Sequence, residues 1–417
     1  MLASVLTPSG TGVGSEVTET KRMIEAIKDN GFGFARRAYL LCLYNNHSIA
    51  WPSLKDFDNV VEGFTCTMVN TDQSDRIDLD VTNRDGRWLG SWKPKIGQDT
   101  IVANLYICHW DGTNKGGRNF PTGQYTVDEF SGSGGSDGSK CSIGAVSMPV
   151  NNEFKRTKKT KTWEKVTLFG IVQQIAANND LVAFIDGTDT KIDSIEQSEQ
   201  TDSEFLMNTC KSYGMYVKIY WNRVVVYDID KYENEASIKT ITPEDLTSWS
   251  WSEDADGTYT GGRLTYTDSN GKTTEVLVGN AEASKDKTTT TKKSSSSSKK
   301  TKIVVHSTAK QTTVESSDPS AETGKMEQKR ILTLNTKVSS QAEGERILVA
   351  KINEANRSGL TVEIKCLLDV TLIPSLNVDL AGFGSLDGKY SIKKVTHSLG
   401  SSSETSASLY KIPNKFT

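Results

Sequence analysis

The side chains best able to bind a metal or act as nucleophiles are four histidines and six cysteines, and their spacing argues against both roles. His47 falls in a hairpin turn, His109 beside Trp110 ahead of a glycine-rich loop, His306 in low-complexity sequence and His397 in a late strand. None has a second histidine four residues on, and none has a cysteine at zinc-finger spacing. Cys42, Cys66, Cys108, Cys141, Cys210 and Cys366 are scattered without a CxxC pair. Cys42, Cys66, Cys210 and Cys366 fall on the apolar phase of strand or helix patterns. They read as buried free thiols in a reducing cytosol rather than as a disulfide framework.

Two carboxylate pairs have alternate spacing, Asp78/Asp80 and Asp254/Asp256. On a strand such pairs share one face and could hold a cation, but they are equally the solvated side of a half-buried strand. A glycosidase would need two carboxylates about 5–9.5 Å apart across a cleft, and no local motif supports one. P-loop patterns and GxGxxG-plus-strand units are absent from the sequence. Ser9 to Gly14 is glycine-rich but follows no strand and precedes no lysine, so it reads as a flexible terminus. No catalytic residue, metal or cofactor is expected.

Lys155, Arg156, Lys158, Lys159 and Lys161 form a dense basic run. It reads as a solvated linker, with contact to an acidic partner as the functional alternative. The net charge of −3 gives the whole chain no nucleic-acid footprint. No run approaches the roughly 18 apolar residues of a membrane span, and the first residues lack a basic leader. The chain is therefore expected to be made in the cytoplasm and to leave it only by lysis.

The elements that position these groups are mostly strands. The 417 residues allow two to four domains. The 35% hydrophobic content lies below the usual ~45–50%, which favours small β-rich domains with long polar loops. Residues 1–35 read as a flexible extension carrying a short helix from Glu16 to Asn30, with Val17, Ile24 and Ile27 on one side. Residues 36–150 hold a hairpin (Tyr39–Tyr44, Ile49–Trp51) and two alternating strands (Phe64, Cys66, Met68; Ile77, Leu79, Val81). The further strands Ile101–Ile107, Tyr125–Phe130 and Cys141–Val146 are separated by loops at Gly112–Gly117 and Ser131–Ser139, the pattern of a barrel or sandwich. Residues 151–246 switch to α+β. A helix over Trp163–Asn178 is followed by a second helix opened by the capping box Thr201-x-x-Glu204 and stopped at Gly214, then by the hairpin Tyr216–Ile229.

Residues 247–280 and 330–417 read as a second β-barrel with a helix opened by Ser340-x-x-Glu343. That helix, the barrel strands and the run Trp249–Val278 are expected to share one core. Between them, residues 281–329 are Ser/Lys-rich and read as a disordered insertion. The stretch Pro374–His397 alternates, bends at Gly382 and Gly384, turns at Asp387-Gly388 and alternates again from Tyr390. Trp88 and Trp92 flank Leu89 in a short helical turn and read as core or interface rather than a sugar platform.

Four of these segments, in this order, resemble the late control D family of phage tail proteins, the baseplate hubs of contractile tails. The first is Asp80-Val-Thr-Asn-Arg84-Asp85-Gly-Arg-Trp88-Leu89-Gly-Ser-Trp92, followed by Pro94-Lys-Ile-Gly97 but with Gln98 where a charged residue is usual. The second is Phe120-Pro-Thr-Gly-Gln-Tyr125-Thr-Val-Asp128-Glu129. The third is the helical pair, Leu168–Ala177 and Asp202-Ser-Glu-Phe205-Leu206 on to Cys210 and Gly214. The fourth is Gly382-Phe-Gly384-Ser-Leu-Asp387-Gly388-Lys-Tyr390 with the late His397. The N-terminal extension, the Gly112–Ser139 loops and the Ser/Lys insertion depart from the pattern.

The resemblance, which covers about residues 40–412, implies two β-barrel tube domains flanking a small helix-plus-hairpin domain. It implies a homotrimer whose six barrels form a pseudo-hexameric ring, joining a six-fold tail tube to a three-fold central spike. The implied partners are a central spike protein, the tail tube or tube initiator protein, and baseplate wedge and tape measure proteins. The signature positions named above are implied to be structural. Two other readings stand beside it: a tail-associated peptidoglycan hydrolase, and a surface- or glycan-binding adhesin using exposed aromatics.

Overall fold

A computed structural model describes residues 14–29, 36–45, 47–71, 73–109, 117–136, 138–149, 153–220, 222–267, 273–281, 304–306, 330–336 and 338–416. Most of the Ser/Lys-rich stretch 281–329, residues 1–13 and most of the Gly112–Gly117 loop lie outside them; within the stretch expected to be disordered, Val304–His306 is a strand paired parallel with Glu275–Leu277.

Helix α1 (Gly14–Asp29) lies on the outside of the first barrel, where Met23 and Ile27 pack against Tyr39, Leu41 and Tyr106. The barrel consists of β1 (Arg37–Tyr44), β2 (His47–Trp51), β3 (Val61–Val69), β4 (Arg76–Thr82), β5 (Thr100–Cys108), β6 (Gly117–Gly135) and β7 (Gly138–Val146). Their spatial order is β3-β4-β7-β6-β5-β1-β2. The segment entering β3 closes the ring against β2, with Ala50 N–H donating to Asp58 O at 3.2 Å and Asp58 N–H to Ser48 O at 3.1 Å. The expected alternation holds: Phe64, Cys66, Met68, Ile77, Leu79 and Val81 all face the core. The stretch Ser131–Ser139, read as a loop, is instead the outer half of the β6–β7 hairpin. Backbone pairing with β7 satisfies its amides whatever the low strand propensity of its Gly and Ser side chains.

The middle module begins with α2 (Glu153–Arg156) and β8 (Lys158–Thr167). Here the linker reading fails. The basic segment is a strand whose Trp163 is buried, paired with β10 so that Lys158, Lys159 and Lys161 lie opposite Thr201, Gln200 and Gln197. The helix expected from Trp163 accordingly starts only at Leu168, as α3 (Leu168–Asn178), with Thr167 capping Gly170 N–H. Then follow β9 (Val182–Asp186), β10 (Lys191–Thr201), α4 (Asp202–Ser212), β11 (Met215–Tyr220), β12 (Arg223–Asp228) and α5 (Ile229–Glu233). The α4 capping box forms with both of its hydrogen bonds.

The chain next lays down β13 (Thr240–Ile241) and β14 (Ser248–Glu253), leaves for β15 (Gly261–Thr267), β16 (Thr273–Gly279), β17 (Val304–His306), β18 (Ile331–Leu334) and α6 (Gln341–Asn356), and returns. It ends with β19 (Leu360–Leu367), β20 (Asn377–Leu380), β21 (Gly388–Leu399) and β22 (Glu404–Lys411). The excursion does not join the second barrel's core as expected. Leu264, Val276, Leu348 and Ile352 pack with Leu168, Phe205 and Val226 in the middle module. Gly262 permits this docking, because a Cβ there would lie 2.6 Å from Ile352 Cδ1 and 2.7 Å from Leu348 Cδ1. The Ser340 cap also forms only in part. Its hydroxyl accepts from Glu343 N–H, but the Glu343 carboxylate turns to Ser339 and to the Tyr213 hydroxyl.

The second barrel has the order β14-β19-β22-β21-β20-β13. Strands β14, β19, β20, β21 and β22 repeat, in chain order and antiparallel pairing, the pattern of β3, β4, β5, β6 and β7. The long strands of both barrels carry a bulge at the same place, at Asp128 in β6 and at Lys393 in β21. Curvature therefore comes from these bulges. Gly382 and Gly384, expected to bend a strand, lie beyond the end of β20 in a loop closed by Asp387, whose carboxylate accepts from Phe383 N–H at 2.7 Å.

Candidate functional site

The signature positions do not converge on one site. Trp88 is fully buried in the first barrel, its backbone N–H donating to Asn83 Oδ1 at 2.9 Å, with its ring edge-on to Trp92 at 5.2 Å. Trp92 stacks on His47 at 3.9 Å and lies beneath the Arg87 guanidinium, which Asp85 and Asp58 hold. Arg84 and Leu89 are exposed on the same turn. Asp128 sits at the β6 bulge, 3.6 Å from Arg156. Phe205 and Leu206 fill the middle core, and Gly214 follows α4. Gly382, Gly384, Asp387 and Gly388 form the β20–β21 connection, over which the buried Tyr390 donates to Leu386 O at 2.7 Å.

The candidate chemistry residues also disperse. Asp78 pairs with Arg76, while Asp80 borders an open groove of about 580 Å³ lined by Ser131, Gly132 and Lys140. The Asp254 carboxylate caps Asp256 N–H in a local turn. All six cysteines are buried free thiols, and burial pushes Cys42, Cys66 and Cys210 up to about 12. Among the described residues no cluster of metal-ligating side chains occurs, and no helix is long and apolar enough to cross a membrane.

What the chain does assemble is a joint. The outer half of β21 pairs antiparallel with β3, from Lys394 opposite Val69 to Leu399 opposite Phe64. The two barrels thus share one 13-stranded sheet and one continuous apolar core. At the seam His397 lies opposite Cys66 and is buried, with Nδ1 2.9 Å from the Thr405 hydroxyl. Burial pulls its imidazole down to about 4, against the attraction of Asp369. Strands β3 and β14 both run antiparallel to β21, because β19 and β22 intervene. The two barrels therefore point the same way, related by rotation about an axis along the strands rather than by reversal.

The middle module clamps both barrels. Lys218 of β11 donates to Val69 O at 3.0 Å and pairs with Asp75 Oδ2 at 3.1 Å, both side chains only 3% exposed. Burial raises the Asp75 carboxyl above its ordinary range, Lys218 offsetting only part of that. The Tyr227 hydroxyl donates to Asn70 O at 2.9 Å and meets Ser375 Oγ of the second barrel at 2.7 Å. Glu233 accepts from Arg357 Nε at 2.6 Å and from the Tyr410 hydroxyl at 2.7 Å, and Lys415 lies 2.9 Å away. Burial pushes Glu233 up, but these cations and the hydroxyl outweigh it and hold the carboxyl low. These clamp residues escaped the sequence reading, because single charges on apolar strands carry no spacing signal. Lys218, alone among Val217, Ile219 and Val224–Val226, was the available hint.

Among the described residues, β14 and the outer half of β6 each present an edge without a strand partner. β14 has a partner only on its β19 side, and its Trp249 and Trp251 are 42% and 54% exposed. Past the bulge, Glu129–Gly135 of β6 pairs only with β7.

No family model matches the chain, and no curated protein sequence matches it. Solved structures do. The tail protein from Neisseria meningitidis superposes with a TM-score of 0.59 over 90% of this chain and 96% of its own, at 10% identity. The 43 kDa tail protein of prophage MuSo2 from Shewanella oneidensis gives 0.58 over 89% and 98%, at 11% identity. An E. coli component of the type VI secretion system, described as structurally similar to the bacteriophage T4 tail proteins gp27 and gp5, gives 0.50 over 86% and 75%, at 9% identity. The mainly β architecture is thus that of phage tail proteins.

Proposed function

We propose that the chain is the structural hub of a contractile phage tail or phage-tail-like particle. Three copies close a ring of six barrels that joins a six-fold tail tube to a three-fold central spike. The observation that carries this reading is the internal repeat: two barrels of the same strand order, pointing the same way and fused edge to edge by β3 and β21. Two barrels reversed about a two-fold would end as a dimer-like pair. Two barrels related by rotation leave one open edge at each end, and such head-to-tail contacts close into rings. The likeness in fold to tail proteins supports the same reading.

In this reading the barrels at 36–150 and in the segments 240–253 and 360–411 are ring units, and the middle module is the brace that sets the angle between them. The tail tube or tube initiator protein meets one face of the ring and the central spike protein the other, with baseplate wedge and tape measure proteins as further neighbours. No enzymatic step is assigned, since the ionisable groups that are buried serve as structural clamps. The protein assembles in the bacterial cytoplasm and leaves by lysis as part of the particle. Light scattering on the purified full chain should give the mass of three chains, and negative-stain microscopy a ring. A chain that remains monomeric over the accessible concentration range refutes the proposal.

A further inference from the structure

The internal repeat says more than that two barrels exist. Aligning the pairings residue by residue makes β14 the counterpart of β3, and the outer half of β6 the counterpart of the outer half of β21. Phe64 then corresponds to Trp249 and Cys66 to Trp251, since each lies opposite the equivalent residue of β4 or β19. The bulges align Asp128 with Lys393, so Gly132 corresponds to His397 and Gly134 to Leu399. Within the chain, β3 and the outer half of β21 are paired with each other. Their counterparts are the edges of β14 and outer β6 that have no strand partner among the described residues.

The geometry points to a joint between copies in which β14 of one chain pairs antiparallel with Ser131–Gly134 of β6 in the next. This rests on the ring reading above, and it names the strands, the register and the occupant: a second copy of this chain. Transferring the β3–β21 register sets Ser252 opposite Ser131, Trp251 opposite Gly132, Ser250 opposite Ser133 and Trp249 opposite Gly134.

The transferred register comes from backbone pairings alone, yet it places both exposed tryptophans over glycines. A tryptophan laid across a cross-strand glycine covers bare backbone and buries its own ring, a pairing that stabilises otherwise weak glycine positions in sheets. The serines alternate on the other face. The exposures agree: Phe64 and Cys66 are buried at 2% and 0% where β21 covers them, while Trp249 and Trp251 stay open where no described residue does. Trp249 is already held edge-on to Phe383 at 5.1 Å, so little ordering remains to be done on docking. The favourable run ends after four pairs, because the next would set Phe130 against Glu253 and Glu129 against Asp254. An open strand edge bearing two tryptophans is also the kind that soluble proteins cover rather than expose.

The test is a double cysteine variant, Ser133→Cys with Ser250→Cys, in the full chain, oxidised or treated with a short bismaleimide. The native thiols are all buried, and each single variant serves as control. A covalent ladder of dimer and trimer in the double variant alone is the expected result. Adding Gly134→Leu should cut cross-linking at least ten-fold with an unchanged circular dichroism spectrum, since a Cβ at Gly134 meets nothing nearer than 3.8 Å in its own chain. A preparation that light scattering shows to be trimeric but that does not cross-link overturns the pairing and leaves the hub reading standing. A chain that stays monomeric overturns both.

Discussion

Replacing Lys218 with methionine tests whether the middle module truly clamps the first barrel. The substitution keeps the apolar stem and removes an ammonium that serves Asp75 at 3.1 Å and Val69 O at 3.0 Å. Asp75 would be left buried with one donor, Val69 N–H at 3.1 Å. Breaking a buried pair from one side costs about 3–5 kcal/mol, mostly from the stranded charge. At about 1.36 kcal/mol per decade, backbone exchange governed by opening of this joint should accelerate by roughly two to almost four decades. Hydrogen exchange read by mass spectrometry suits a multidomain chain better than one melting temperature, because it localises the loss. The acceleration should appear in 61–82 and 215–228 and spare 360–367.

The same variant has a signed pH dependence. The folded Asp75 carboxyl is held above its ordinary range by burial. A raised group favours the folded state when protonated, so its contribution is present at low pH and is lost as pH rises through the folded value. Without the ammonium the folded value rises further, and the deficit of Lys218→Met should widen with pH. Adding Asp75→Asn should recover much of the loss and remove its pH dependence. Acceleration below ten-fold, or spread evenly over the chain, would refute the clamp.

Other expectations concern separate elements. His397 is held down to about 4 by burial, so the stability tied to its neutral form is present above its unfolded value and fades as pH falls from about 6.5 towards 4. That is worth up to about 3 kcal/mol, and a non-titrating His397→Gln should flatten this part of a stability–pH curve. Trp88→Ala, emptying a fully buried site, should cost about 3–5 kcal/mol and show in proteolysis within the first barrel. Thr201→Ala removes the hydroxyl that caps Glu204 N–H and should cost about 1 kcal/mol, seen as faster exchange confined to α4. A zymogram of the full chain should show no clearing of peptidoglycan, and a clear zone abolished by one carboxylate substitution would restore the hydrolase reading.

The strands were legible where one face is buried and the other wet. Phe64/Cys66/Met68 and Ile77/Leu79/Val81 alternate because each side chain's face decides its polarity. Segments held by pairing alone were not legible. Ser131–Gly135 has the composition of a loop, and Lys158–Lys161 that of a linker, yet each is a strand because a neighbour satisfies its backbone. The repeat was hidden for a related reason. Phe64 and Trp249, or His397 and Gly132, occupy equivalent positions with unlike side chains, because among the described residues one of each pair is covered by a neighbouring strand and the other is not. The tail-family resemblance reached the architecture through turns and caps such as Thr201–Glu204, but not the clamps, whose partners lie more than a hundred residues apart.

The placement of the excursion bears on the proposed ring. In the first barrel the turn from β3 to β4 is short; in the second, residues 254–359 stand in the equivalent place between β14 and β19. Loop-closure cost grows only slowly with length, so a barrel tolerates a long insertion at a turn provided the insertion buries its own apolar surface. It does so on the middle module, through Leu264, Leu348 and Ile352. An insertion covering the free side of β14 would have hidden Trp249 and Trp251 and ended the sheet at one chain. Its described residues, held at the turn, enlarge the brace that fixes the two barrels and leave the edge open. The same end of the first barrel carries Val69, Asn70 and Asp75, which the module grips through Lys218 and Tyr227. Both barrels are thus held by their equivalent ends, which is how one rigid module can impose a fixed rotation between the two barrels.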